Sequence, residues 1–123
     1  METLIFSVHE FMIMMGILRE QKNEGKDIPK DSIWNTWQPR YQELDRDLEK
    51  LDMMRRADML FDGKVTFHDV SNDMIREVMS LVDIHLKFEQ NLIEEGDLDG
   101  DPDEVEIWRM LRLRLETSLE QAG

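Results

Sequence analysis

Apolar residues return every third or fourth position along most of the chain, and that rhythm predicts helices. Residues 3 to 22 read as a first helix, apolar over much of its circumference. Leu4, Phe11, Met15 and Leu18 form one row, with Ile5, Val8 and Met12 beside it. After Pro29, Asp31 or Ser32 is placed to cap a short helix bearing Trp34 and Trp37, and Pro39 either starts the next helix or kinks a continuous one. The stripe then runs through Tyr41, Leu44, Leu48 and Leu51 to about residues 61–63. The stretch "KVTF", 64–67, is the one short extended piece. A long helix follows from a cap at Asp69 or Ser71 to Glu95, with a core face of Met74, Val78, Leu81, His85, Phe88 and Leu92. Gly96 stops it. The last helix starts near Asp101 and turns Trp108, Leu111, Leu115 and Leu119 inward.

These elements define an all-α fold: an irregular bundle of about four main helices plus one short helix, forming a single helical domain over residues 1–123. Three prolines and six glycines suit long helices with short connections. The absence of cysteine excludes disulfides, thiol catalysis and zinc–thiolate sites. The opening "METLIFSVHEFMIMMGIL" has Glu2 where a secretory leader needs a positive residue, and His9 and Glu10 interrupt its apolar run. It therefore reads as a structural helix of a cytoplasmic protein.

Charge sharpens the picture. The net charge is −13, and the segment "EEGDLDGDPDEVE", residues 94–106, holds eight acidic residues and no basic one. Such a distribution argues against direct nucleic-acid binding, which needs clustered Lys and Arg; Arg55–Arg56 is the one adjacent basic pair. Part of the acidity has a local explanation. Asp101 as N-cap, Pro102 at the first helical position and Glu104 at the third make a capping box, and Asp103 and Glu104 suit the positive end of a helix dipole.

The same segment resembles an EF-hand loop. Glu95, Asp97, Asp99, Gly100, Asp103 and Glu106 fall at its first, third, fifth, sixth, ninth and twelfth positions, an oxygen-ligand spacing that implies calcium. A second stretch, "DMLFDGKVTFHD", places Asp58, Asp62, Gly63, Val65, Thr66 and Asp69 at matching positions. The departures are Leu60 at a ligand position and Asp69 in place of a bidentate Glu in the 58–69 stretch, Pro102 in the 95–106 stretch, and one unbroken helical stripe between the two. The candidate metal ligands are thus Glu95, Asp97, Asp99, Asp103 and Glu106, in a calcium-binding alternative with degenerate loops.

Catalytic signals are sparse. His85 lies on an inward stripe, and no Glu-x-x-His pair, glycine-rich phosphate loop or nucleophile elbow is present. A magnesium-dependent helical nucleotide pyrophosphohydrolase would need repeated helical carboxylates; Glu43, Asp47, Glu49, Glu77 and Asp83 do not match that pattern. No enzyme is expected. Ten methionines point elsewhere, because methionine makes adaptable binding surfaces. Met14, Met53 and Met54 are expected to lie on partner-covered faces, and Glu94, Asp97, Asp99 and Asp101 to form an acidic patch for a partner with a basic surface. The expected function is a small acidic helical interaction module, of adaptor, chaperone or inhibitor type, with self-association or nucleic-acid mimicry as alternatives and a phage or mobile element as a fitting source.

Overall fold

The computed structural model describes residues 2–122 and is predominantly helical, with a small two-stranded antiparallel sheet. In chain order the elements are β1 (Glu2–Ser7), α1 (Val8–Asn23), α2 (Ile33–Glu49), α3 (Met53–Asp62), β2 (Lys64–Val70), α4 (Asn72–Glu94) and α5 (Pro102–Ala122). They fall into two compact units, Thr3–Val70 and the residues from Ser71 onward.

In the first unit, β1 corrects the all-α expectation. Residues 2–7 alternate, with Leu4 and Phe6 buried and Thr3 and Ile5 exposed, which is the period of a strand covered on one face. Helix α1 begins only at Val8, because Ser7 and Glu10 form a capping box. The Glu10 amide donates to Ser7 Oγ at 3.0 Å, and the Ser7 amide donates to Glu10 Oε1 at 2.7 Å. The extended piece expected at 64–67 is β2, β1's partner in the sheet.

Helix α2 runs unbroken through Pro39, which stays exposed, so of the two readings of that proline the continuous helix holds and the separate short helix does not form. The stripe from Trp37 to Leu48 is buried as expected. It does not continue to residue 61, because Asp52 accepts a hydrogen bond from the Arg55 amide at 2.9 Å and caps a separate helix, α3. Arg56 secures the junction: its Nε donates to the Leu48 carbonyl at 3.0 Å and its guanidinium Nη2 to the Leu51 carbonyl at 3.2 Å. The core of this unit is aromatic. Trp37 stacks on Phe67 with ring centroids 4.1 Å apart, and Phe6 and Phe11 pack at tilted angles against both.

The second unit is a hairpin of α4 and α5. Ser71, not Asp69, caps α4, accepting from the Met74 amide at 3.2 Å. Asp69 instead adopts left-handed backbone, φ 56°. Beyond Glu95, Gly96 takes φ 71° and ends the helix, as its position suggested. The buried positions of α4 are Ile75, Val78, Leu81, Val82, His85 and Glu89. The expected core residue Phe88 is exposed instead, because the inward face drifts toward Glu89. Across the pair, Asp83 Oδ1 accepts from Arg112 Nε at 2.8 Å, and the His85 and Trp108 rings lie 4.5 Å apart, which sets the two helices antiparallel.

Candidate functional site

The chain between α4 and α5 is a tight polar turn. The Asp97 amide donates to the Leu92 carbonyl at 2.9 Å, and the Gly100 amide donates to the Asp97 carbonyl at 3.0 Å. Asp97 Oδ1 accepts from the Asp99 amide at 2.8 Å, and Asp101 Oδ1 accepts from the Asp103 amide at 2.9 Å. Asp101 therefore caps α5 as expected, and its carbonyl takes the Val105 amide at 3.3 Å. Glu104, the other half of the expected box, turns inward: its Oε1 accepts from Trp108 Nε1 at 2.8 Å and lies 3.7 Å from His85 Nε2. Glu89 Oε1 stands 3.5 Å from the same ring nitrogen. His85, Glu89, Glu104 and Trp108 thus form a buried polar cluster that ties α4 to α5.

Glu94, Glu95, Asp97, Asp99, Asp101, Asp103 and Glu106 are all exposed. Among the described residues, no three His, Cys, Asp or Glu side chains come together as a group able to hold a metal ion. The paired calcium-loop geometry is also missing. Residues 58–62 are the last turn of α3 and residues 64–69 are strand, while α5 starts at Pro102, well inside the second expected loop.

The turn's most conspicuous side chain is one the acidic pattern obscured. Leu98, flanked by Asp97 and Asp99, has a relative exposure of 101%. A lone leucine among eight acids was the available signal. Beside the turn lies an open cleft of about 410 Å³, lined by Gln90, Ile93, Glu94, Pro102, Val105 and Arg109.

The methionines divide. Met53 and Met54, on α3, are 86% and 80% exposed. Met14 is fully buried, which corrects its expected place on a partner-covered face: it shares the inward side of α1 with Phe11, Met15 and Leu18. Phe61, on the same helix as Met53 and Met54, is also exposed and was not singled out by its sequence. Its spacing of eight residues from Met53 was the signal. No residue of α3 is buried.

Among the carboxylates weighed for catalysis, Glu43, Asp47 and Glu49 are exposed on α2, and Asp83 is paired with Arg112. Burial pushes the Tyr41 phenol above its ordinary value, opposed by Arg19 and reinforced by Asp45. No helix among the described residues is long and apolar enough to cross a membrane. Comparison with protein families, curated proteins and solved structures finds no match.

Proposed function

We propose that the protein is a small acidic interaction module of the cytoplasm that recruits a basic partner protein through the turn between α4 and α5. The observation behind this reading is Leu98, fully exposed, flanked in the chain by Asp97 and Asp99, with the exposed Glu94 and Asp101 within four residues. An apolar side chain held out on a hydrogen-bonded turn is an anchor waiting for a pocket, and the surrounding carboxylates steer a positively charged surface toward it. The cleft beside the turn offers room for a side chain of the partner. The action is binding, of adaptor, chaperone or inhibitor type, with no catalytic step.

The test is affinity capture from a cell extract, comparing the wild-type chain with Leu98→Ser and with Asp97→Asn/Asp99→Asn. A partner should be retained by wild type and weakened about tenfold by Leu98→Ser at unchanged charge, the loss of roughly 1.4 kcal/mol of anchor energy. Rising salt should weaken it further, and EDTA and calcium buffers should give equal capture. Equal retention by Leu98→Ser, or a partner captured only with calcium, would refute the reading.

A further inference from the structure

We propose that the exposed face of α3 is the contact between two copies of this chain. A surface helix ordinarily turns its apolar stripe toward the core. In α3 only Met59 and Leu60 turn partly inward, and no residue is buried. Met53, Ala57 and Phe61 follow one another at four-residue intervals on one face, with Met54 beside them, and this face points outward. The helix is held to its own unit by other groups. Arg56 donates to the Leu48 and Leu51 carbonyls, and the Gly63 carbonyl at the end of α3 accepts from the Val8 amide. Met53 and Met54 stay almost wholly exposed, and Phe61, whose ring centroid lies 4.7 Å from that of His9, keeps about half its surface open to an occupant.

Charge selects the occupant. The chain carries −13, yet residues 49–64 hold four acids (Glu49, Asp52, Asp58, Asp62) and four bases (Lys50, Arg55, Arg56, Lys64) and are locally neutral. A strongly basic partner gains nothing there that it would not gain more fully at the 94–106 segment. A second copy of an acidic molecule meets its least repulsion where the charge is balanced. Shape agrees with charge. Ala57 is the small residue midway between Met53 and Phe61, so in an antiparallel two-fold pairing the two Ala57 residues meet. Each Met53 then packs against Phe61 of the other copy.

The area sets the strength. Met53, Met54 and Phe61 expose on the order of 450 Å² per copy, so the pair would bury about 900 Å², below the roughly 1,200 Å² at which stable interfaces begin. The dimer is therefore weak and concentration-dependent, with a dissociation constant on the order of micromolar.

Sedimentation equilibrium and cross-linking test this directly. The wild-type chain should dimerise across about 1–100 µM and more tightly at about 0.2 M than at 0.02 M salt, as the overall −13 is screened. Met53→Glu/Met54→Glu should be monomeric over the same range with an unchanged melting temperature, since both side chains are exposed. The chain has no cysteine, so Ala57→Cys places a single thiol at the proposed axis. Mild oxidation should link its copies at least about tenfold faster than those of Glu120→Cys on α5. A wild-type chain that is monomeric throughout, or a dimer that survives Met53→Glu/Met54→Glu, would overturn the proposal, as would equal linking rates. Leu98→Ser should leave dimerisation unchanged, so this test and the capture experiment can fail independently.

Discussion

One substitution made at two glycines should change stability in opposite directions. Gly63 ends α3 with ordinary extended backbone (φ −71°, ψ 148°), so its requirement is spatial. A Cβ there would collide with the Met59 carbonyl oxygen and lie 3.0 Å from Val8 Cγ2. That oxygen accepts the Gly63 amide at 3.0 Å, and the Gly63 carbonyl holds the Val8 amide at 3.1 Å, so relief of the clash must stretch at least one of these bonds. Overpacking costs about 1–3 kcal/mol and a weakened hydrogen bond about 1 kcal/mol, against roughly 0.4–1 kcal/mol regained from a stiffer unfolded chain. Gly63→Ala should therefore lose about 2 kcal/mol. Gly16, inside α1, has nothing within 4 Å of an added Cβ, and Gly16→Ala should gain about 0.5–1 kcal/mol from helix propensity. Urea unfolding followed by circular dichroism measures both, and the thermal midpoints should separate by roughly 8–15 °C. A neutral Gly63→Ala, or shifts of the same sign, would show that the β1–α1 corner is not packed against the end of α3 as described.

Two further predictions follow from the packing of other side chains. Glu104→Ala leaves the fully buried indole N–H of Trp108 without its acceptor and should cost about 2–3 kcal/mol in urea unfolding, whereas Glu104→Gln, which keeps an acceptor, should cost under about 1 kcal/mol. Tyr41, the one tyrosine, has its pKa raised mainly by burial; the folded state therefore holds its proton longer than the unfolded chain does. Its contribution to stability is full below about pH 10 and is lost as pH rises from there through the folded pKa. Absorbance titration near 295 nm should show a delayed transition, and Tyr41→Phe should flatten the stability loss in that window.

Most helix starts that use a single side chain were legible in the sequence, although Asp52, hidden within a continuing apolar stripe, was not. Asp101 was identifiable as a cap, and Ser32 and Ser71 were each one of two candidates (beside Asp31 and Asp69), because a short polar residue before a periodic apolar run satisfies an orphan amide. The first twenty residues were harder. Leu4 and Phe11 fit a helical row as readily as Leu4 and Phe6 fit an alternating strand, and only the pairing of β1 with the distant β2 decides between them. The Ser7–Glu10 box was present in the residues but masked by continuous apolar character. Glu89 is buried in place of Phe88 because His85 and Trp108 build a polar niche that no single-helix pattern reveals. At the candidate site the acids were evident from composition. The outward projection of Leu98 depends on turn hydrogen bonds that a charge count does not contain.

The sheet has a consequence for biosynthesis. About sixty residues separate β1 from β2, so at 5–20 residues per second β1 waits roughly 3–12 s for its partner strand to be made. During that interval Leu4 and Phe6 have no finished aromatic core to enter, and β1 is an open template for other chains. The arrival of Lys64–Val70 both completes the sheet and delivers Phe67 onto Trp37, so a ribosome stalled before residue 64 holds a sticky intermediate and one stalled well beyond residue 70 does not.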